Sequence, residues 1–547
     1  MKPKVNPFVR LLPSLTDVAF VLPILMIFSR LDGVKTLLGD GDTGWHIRTG
    51  QWILAHGTIP HKDLFSFTKP DAPWFAWEWL WDVMFGWLHL HFGMAAVVIA
   101  SLLLISFISA LLFRVVIRNC QNRLIAIGIT FLAMAGSSIH WLARPHLFTM
   151  FFVVIWLAVF DCVERGRTRL LWLLPLLTIA WTNLHGGFVV GILFTGVYSA
   201  AKFLEGIFAI LPRQRSHAFR SGRYYLLAAS ACALASLINP YTYHLHQHIV
   251  EYLNDTTQLS SISEFQTLSF HAPAAIYFEI VLVLSVIAAL DQVRQRRFAP
   301  ALLLVVMAHL ALLAGRNIPL FLLIAAPSVA SMLDELSERA GEERASLPTF
   351  IKKALNDLRE VGEELTSVDR PWRIHLPSVL LAVLVCSIVS EHAHVFKLRA
   401  EYDPGRYPAS ALSMLAPGAG DHRIFCDDEW GDYLAYRLYP EGRVFVDGRS
   451  DFYGGQFVRD YLDILGVKYD WETQLAHYGV DRVLLSTTSA MAGAVKQSPR
   501  WKVMYDDGIA VLFESTRSSN GIFTNSGNKA DAETFPSGMA RVRRVSF

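Results

Sequence analysis

Long apolar segments alternate with short polar ones over the first 392 residues, and this pattern predicts a bundle of membrane-spanning helices. A helix needs about 17–25 mostly apolar residues to cross a bilayer. The segments that approach or meet this length are 13–30, 94–113, 124–141, 146–162, 169–184, 186–204, 224–239, 274–291, 298–315, 317–333 and 375–392. We therefore expect a polytopic α-helical membrane protein with about 11 transmembrane helices.

Basic residues between these spans predict their orientation. With the N-terminus in the cytoplasm, the inside segments carry 24 Lys and Arg residues and the outside segments carry 6. Cytoplasmic loops are enriched in Lys and Arg, so this fourfold bias favours that orientation. We predict a multi-pass protein of the cell inner (cytoplasmic) membrane, with a cytoplasmic N-terminus and a C-terminal domain on the outer (periplasmic) face.

The pattern changes after the last span, where short strand-like runs alternate with helical ones. Runs at 423–426, 444–446 and 483–486 are typical of strands, and Asp507-Gly508 predicts the turn of a final hairpin. The predicted organisation is a transmembrane module over 1–335 with a large first outer loop over 31–93, a charged cytosolic linker over 336–373, a last transmembrane helix over 374–395, an outer-face soluble α/β domain over 400–515 and a disordered tail over 516–547.

Composition agrees with a membrane protein and excludes several other classes. Hydrophobic residues make up 53% of the chain and charged residues only 18%, whereas soluble domains carry about 25% charged residues. The 49 Lys and Arg residues nearly balance the 47 Asp and Glu residues, so the chain lacks the overall basic excess that is typical of nucleic-acid-binding proteins. Five scattered cysteines without a CxxC pattern exclude a zinc ribbon or a disulfide scaffold.

Polar and ionisable side chains, which are energetically costly near a bilayer, gather on the predicted outer side of the bundle. Such groups near a bilayer are expensive and commonly mark a site. Outer segments distant in sequence supply acidic, basic, histidine and amide groups, and the candidates are Asp40, Asp42, His46, Arg48, Glu78, Arg144, His146, Asn183, His185, Arg316 and Asn317. We expect them to converge on one pocket.

Asp42 is the candidate key carboxylate, with two interpretations of equal weight. It follows the first span between glycines, which let a ligand approach the backbone, and it could act as a general base. It could equally form an Asx turn or cap a helix that starts near Thr43. Asp40 and Asp42 also form a DxD pattern that could hold a divalent cation, the one candidate cofactor; a lone DxD is a weak signal.

Two arginines and two histidines have similarly open roles. Arg144 and Arg316 stand at span ends, where a guanidinium could clamp a phosphate or simply snorkel to the interface. His46, with Arg48, lies about one turn beyond Asp42 and could face the same pocket, and His185 lies between Asn183 and two glycines. The alternative for both histidines is a hydrogen-bonded interfacial side chain.

A histidine pair in the fourth predicted outer segment suits zinc by spacing. His244 and His248 would share one helix face at i and i+4. No HExxH pattern accompanies the pair, so we favour an interfacial helix.

The outer strings as a set resemble the GT-C membrane glycosyltransferases. The first-loop string runs from Asp42 through Trp45-His46-Ile47, Gly50, Gly57 and Ile59-Pro60 to Asp63, Phe65 and Glu78-Trp79-Leu80. It is similar to bacterial proteins related to dolichyl-phosphate-mannose–protein mannosyltransferases and lipid A aminoarabinose transferases. The strings Arg144-Pro145-His146, Asn183-Leu184-His185-Gly186-Gly187-Phe188, Asn239-Pro240-Tyr241, Arg316-Asn317-Ile318-Pro319, Trp430-Gly431-Asp432-Tyr433 and Asp447-Gly448-Arg449 resemble a poorly characterised branch.

The resemblance implies a GT-C-like catalytic module over 1–335. It implies that Asp42 activates the acceptor, that the donor is a polyprenyl-phosphate sugar held in a lipid-facing groove, and that arginines at the groove mouth hold the phosphate. Thr43 stands where many relatives have Glu, and Pro73-Trp74-Phe75 replaces a His-Pro-Pro or Lys-Pro-Pro string. Trp430-Gly431-Asp432-Tyr433 resembles the WWDYG string of oligosaccharyltransferases, but Gly431 breaks it, so peptide binding is not carried over.

The function that the sequence favours is transfer of a sugar from a polyprenyl-phosphate donor to an outer-face lipid, glycan or protein. Asp42 would be the base, Arg144 and Arg316 would contact phosphate, and membrane lipids would surround the bundle. One alternative is a transporter or flippase of a lipid-linked or charged solute, which would place ionisable residues near the bilayer midplane. Another is a non-catalytic assembly or sensor protein.

Overall fold

A helical bundle followed by a small mixed sheet makes up the computed structural model, which describes residues 10–340, 348–369 and 373–516. The predicted tail beyond residue 516 and the linker stretches 341–347 and 370–372 lie outside the described residues. The helices up to residue 208 are Leu15–Ser29 (α1), Asp42–His56 (α2), Trp79–Val116 (α3), Arg123–Ser137 (α4), His146–Glu164 (α5), Leu173–Leu184 (α6) and Phe188–Phe208 (α7).

The next helices complete the bundle and lead to the C-terminal domain, the outer domain of the predicted topology. They are Pro212–Ala235 (α8), His244–Asn254 (α9), Thr256–Ser261 (α10), Ala275–Arg294 (α11), Phe298–Leu313 (α12), Ile318–Ala340 (α13), Thr349–Val368 (α14) and Leu376–Ile388 (α15). Each of the eleven predicted spans coincides with one helix. Helix α13 packs against α3, α4, α5, α11 and α12, and it is the most buried of the six helices that are long and apolar enough to cross a membrane.

Length and apolar character distinguish two groups among the described helices. Six segments are long and apolar enough to cross a membrane: Trp79–Val116, Arg123–His140, His146–Glu164, Phe188–Phe208, Ala275–Arg294 and Gly315–Arg339. Leu15–Ser29, Phe298–Leu313 and Leu376–Ile388 are apolar but shorter. The last of these ends at Ile388, earlier than the span predicted to reach residue 392, so the count of eleven spans stays a prediction.

Helix α3 contains a sharp break at Gly93, whose φ of 71° is open to glycine but costly for other residues. The backbone N–H of Met94 donates to the Glu391 carboxylate at this point. The aromatic-rich stretch before Gly93 and the apolar span after it therefore run in different directions. Glu78 occupies the N-cap position of this helix.

The outer domain is built on a four-stranded sheet in the order β1-β2-β4-β3. Its strands are Ile424–Phe425 (β1), Arg482–Ser486 (β2), Trp501–Asp506 (β3) and Ala510–Ser515 (β4), and its helices are Leu412–Leu415 (α16), Asp428–Leu438 (α17), Ser450–Leu465 (α18), Trp471–His477 (α19) and Ala490–Gln497 (α20). β1 and β2 are parallel, whereas β4 pairs antiparallel with both β2 and β3. The hairpin predicted at Asp507-Gly508 is confirmed.

The predicted strand over 444–446 is wrong, because this segment forms only isolated bridges. Val444 bridges Ile424 of the sheet and Ser66 of the first outer loop. Its amide donates to the Phe65 carbonyl at 2.9 Å, and its carbonyl accepts from the Phe67 amide at 3.0 Å. The segment is therefore a connector that joins the outer domain to the loop between α1 and α3.

Candidate active site

Asp42 is the first residue of α2, and both of its carboxylate oxygens contact other side chains. Gly41 occupies the N-cap position, so Asp42 does not cap the helix. Its Oδ1 accepts a hydrogen bond from Trp45 Nε1 at 3.1 Å, and its Oδ2 lies 2.5 Å from Arg144 Nη2. Burial raises the pKa of Asp42 to about 7, against the opposing charge of Arg144.

Arg144 joins three carboxylates from separate parts of the chain. It stands in the turn before α5, and its Nη1 lies 2.8 Å from Asp40 Oδ2 and 2.9 Å from Glu264 Oε1. Burial alone would raise the pKa of Glu264, but Arg144 holds it well below its usual range. Arg144 was expected to contact phosphate; here its guanidinium is shared among carboxylates, which fixes its position at the mouth of the bundle.

A third aspartate approaches Asp40 and Asp42 from the outer domain. Carboxylate oxygens of Asp40, Asp42 and Asp432 lie within 4.8 Å of one another. Asp432 accepts from the Gly448 amide at 2.7 Å, and burial together with the charge of Asp42 raises its pKa well above the usual range. Hard divalent cations prefer carboxylate oxygens as ligands. The three aspartates bring such oxygens together, so they fit a divalent cation.

Glu78 is the centre of a second buried cluster. Its Oε2 lies 3.4 Å from His46 Nε2, and its Oε1 lies 3.4 Å from His185 Nε2. His46 Nδ1 lies 2.6 Å from Asp82 Oδ1, and His185 Nδ1 lies 2.7 Å from the Thr149 hydroxyl. The two imidazoles therefore hold Glu78 between them.

Burial decides the charge state of this second cluster. It raises the pKa of Glu78 to about 8, which the positive charge of Arg144 moderates. It lowers the pKa of His185 to about 3, with Arg316 and Arg144 adding to the effect. A carboxyl group and an imidazole that are both neutral near pH 7 can exchange a proton with a bound ligand.

Arg316 faces the same region without a carboxylate partner. Its guanidinium lies over the Phe265 ring, 4.7 Å from the ring centroid. Within the described part of the chain it forms no ion pair, although its charge acts on Glu78, His185 and Glu264. It is the candidate cation that remains available to an anionic ligand.

The expectation that Arg48 shares the pocket of Asp42 needs correction. Arg48 Nε donates to the Tyr436 carbonyl at 2.6 Å, so this side chain holds the outer domain against α2. His46 follows Asp42 by four residues and lies on the same face of α2, whereas Arg48 follows by six and lies on a different face. The spacing therefore separates the two candidates.

Three further candidates make contacts that stabilise the local structure. His146 Nε2 lies 2.7 Å from the His140 carbonyl. Asn183 accepts from Trp79 Nε1 at 2.8 Å and donates to the Ile238 carbonyl at 2.9 Å. Asn317 donates to the Leu310 carbonyl at 3.0 Å. These residues position the helix ends around the site.

The histidine pair of α9 does not form a metal site among the described residues. His248 Nε2 lies 2.9 Å from Asp451 Oδ2, and the one group of possible metal ligands in the described ranges contains neither His244 nor His248. His248 instead links α9 to the outer domain.

No protein-family model matches this chain, and no curated protein matches it. Solved structures do share its fold. The oligosaccharyltransferase of Archaeoglobus fulgidus, tethered with an acceptor peptide containing the NVT sequon via a disulfide bond, is similar with a TM-score of 0.55 and 11% identity, covering 93% of this chain and 74% of the other. The archaeal oligosaccharyltransferase AglB of the same organism, in complex with an inhibitory peptide and a dolichol-phosphate, gives 0.53 at 9% identity over 93% and 74%.

The apo form of the Archaeoglobus fulgidus oligosaccharyltransferase gives a TM-score of 0.51 at 10% identity, covering 89% and 70% of the two chains. At such identities the similarity shows the fold alone. The chain therefore shares the fold of these oligosaccharyltransferase structures, and in this chain that fold is a helical bundle followed by a small C-terminal domain.

Proposed function

We propose that this protein transfers a sugar from a polyprenyl-phosphate donor to an acceptor on the outer face of the cytoplasmic membrane. The observation that carries the proposal is buried Asp42 beside Arg144, at the junction of bundle and outer domain. The fold supports it, because one similar oligosaccharyltransferase is described with a dolichol-phosphate and another with an acceptor peptide. The acceptor here is a lipid, a glycan or a protein.

Asp42 would act as the general base of the reaction. The acceptor oxygen or nitrogen attacks the anomeric carbon, the bond from that carbon to the phosphate oxygen breaks, and polyprenyl phosphate leaves. The proton of the acceptor passes to Asp42. Arg316 would bind the phosphate, Arg144 would hold Asp42 in position, and Glu78 with His46 and His185 would contact the sugar or the acceptor.

An apolar groove supports the lipid part of the donor. Its volume is about 400 Å³, and it runs beside the start of α3 and the end of α6. The residues that line it include Trp79, Leu80, Ile179, Ala180, Ile238 and Pro240. Trp79 directly follows Glu78, so a chain in this groove would bring its phosphate toward the second cluster. Burial of isoprene units there would supply affinity without hydrogen bonds.

The remaining assignments complete the proposal. Asp40, Asp42 and Asp432 would hold a divalent cation, which would neutralise charge on the leaving phosphate. The protein would lie in the cytoplasmic membrane, with residues 1–335 as the catalytic module and the α/β domain of residues 400–515 in the periplasm.

The test is turnover by the purified full-length protein. It is incubated in detergent with polyprenyl-phosphate mannose or glucose and an outer-membrane extract as the acceptor source. Release of polyprenyl phosphate that depends on protein and extract supports transfer. Tight donor binding without release, across both sugars, would contradict it and favour a transporter or a sensor.

A further inference from the structure

A second cavity lies at the end of the bundle opposite Asp42. Helices α5, α7 and α13 begin beside the candidate active site, and the later parts of the same helices line this cavity. The 19 residues of α5 span about 28 Å, close to the thickness of a bilayer core. The volume of the cavity is about 380 Å³. It thus stands at the other predicted membrane face, the one rich in Lys and Arg.

The acidic side chains of this cavity already have basic partners. Lys202 is 9% exposed, and its Nζ lies 2.6 Å from Glu164 Oε2 and 3.0 Å from Glu205 Oε2. Arg165 Nε lies 3.0 Å from Asp161 Oδ1. These pairs leave little uncompensated negative charge in the lining.

Two further cations line the cavity without an acidic partner. The Arg296 guanidinium donates to the Phe208 carbonyl at 3.0 Å, and the Arg297 guanidinium forms neither a hydrogen bond nor an ion pair within the described ranges. A guanidinium beside neutralised acids is free to bind an anion such as a phosphate.

Gln292 adds an unpartnered polar group to the same lining. Its side chain is 2% exposed, and its Oε1 has no hydrogen-bond partner in the described part of the chain. Buried amide oxygens nearly always accept a hydrogen bond, so this one calls for a donor such as a hydroxyl. The cavity therefore offers a cation for a phosphate and an acceptor for a hydroxyl.

Apolar side chains beside the cations indicate an amphiphile rather than a free solute. Phe208, whose carbonyl accepts a hydrogen bond from Arg296, is 60% exposed. Val293, which follows Gln292 in the chain, is 47% exposed. A lipid can place its headgroup on the arginines and its acyl chains along these side chains, as basic pockets between helices do on cytoplasmic faces.

We propose that this cavity binds an anionic phospholipid whose headgroup carries a hydroxyl. The phosphate pairs with Arg297 and Arg296, a headgroup hydroxyl donates to Gln292 Oε1, and the acyl chains lie along Phe208 and Val293. The site is independent of sugar transfer, because it stands at the opposite end of the bundle and involves none of the residues around Asp42.

The experiment titrates full-length protein in detergent with phosphatidylglycerol, phosphatidic acid or phosphatidylcholine, and native mass spectrometry measures bound lipid. Thermal unfolding compares the stabilisation by inorganic phosphate with the stabilisation by phosphatidylglycerol. We expect phosphatidylglycerol to bind more tightly than phosphatidylcholine. Arg297→Gln should weaken phosphatidylglycerol binding about fivefold, the effect of one cation near a lipid surface. Arg297→Lys should retain most of the affinity, and Gln292→Leu should weaken phosphatidylglycerol but not phosphatidic acid.

The matched control is Arg294→Gln, because Arg294 is exposed, ends α11 three residues before Arg297 and does not line the cavity. Its affinity for phosphatidylglycerol should equal that of the wild type. Equal binding of phosphatidylglycerol and phosphatidylcholine, or equal effects of Arg297→Gln and Arg294→Gln, would overturn the site. Equal stabilisation by inorganic phosphate and phosphatidylglycerol would overturn the lipid assignment. An unchanged phosphatidylglycerol affinity in Gln292→Leu would overturn the hydroxyl contact.

Discussion

Arg144 Nη2 lies 2.5 Å from Asp42 Oδ2, although the rest of α2, all of α3 and α4, and the loops between them separate the two residues in sequence. The same guanidinium also contacts Asp40 and Glu264. One arginine therefore holds together the first outer loop, the turn before α5 and the segment after α10. This relationship defines the candidate site more sharply than any single loop does.

Removal of Arg144 should destabilise the protein. Arg144→Gln leaves three neighbouring carboxylates without their cation, and we expect the free energy of unfolding to fall by about 2 kcal/mol, less than for a fully buried pair because these groups are partly exposed. Thermal or denaturant unfolding in detergent measures the change. Exposed Arg169→Gln is the control, and equal stability of the two variants would contradict the role of Arg144.

Arg449 should couple the first outer loop to the outer domain. Its Nη2 lies 2.7 Å from Asp63 Oδ1 and 2.6 Å from Asp447 Oδ2, and all three side chains are almost fully buried. Arg449→Met should cost about 3–5 kcal/mol of stability, since it leaves two buried charges unpaired. The triple variant with Asp63→Asn and Asp447→Asn should recover much of that loss. A triple variant no more stable than Arg449→Met would argue against this electrostatic cause.

The contact between His248 and Asp451 should depend on pH. Burial lowers the pKa of His248, but the hydrogen bond and charge of Asp451, with Glu251 nearby, outweigh it and raise the pKa. A raised pKa in the folded state means that the contact stabilises fully below about pH 6.5 and is lost as pH rises through the folded value. Melting temperature from pH 5.5 to 8.5 measures this. His248→Gln should remove part of the decline at high pH, and an identical decline in that variant would refute the link.

Individual residues show how far the sequence predicts the site. Hydropathy located a helix for every predicted span, because apolar length is a local property of the chain. The cost of polar groups near a membrane singled out Asp42, Arg144, Glu78 and His185, and the structure brings the first two into contact and the last two together. The sequence could single out these candidates because their predicted outer location depends only on the order of the spans and on the basic residues between them.

Tertiary contacts account for what the sequence did not predict. Glu264 and Asp432 join the Arg144 and Asp42 clusters from distant segments, and Asp82 pairs with His46 from inside α3. Their positions depend on how the outer domain and the loop after α10 fold over the bundle, which no local pattern indicates. The string Trp430-Gly431-Asp432-Tyr433 contains Asp432, but nothing in that string indicates a contact with Asp42.

The most direct measurement compares Asp42→Asn with Asp32→Asn in the release of polyprenyl phosphate. Both positions are in the first outer loop, but Asp32 is exposed and outside the Arg144 cluster. Loss of a general base should lower the rate by about 10²–10⁴-fold in Asp42→Asn, with thermal unfolding showing a folded protein, while Asp32→Asn keeps wild-type turnover. Wild-type turnover by folded Asp42→Asn would contradict the account.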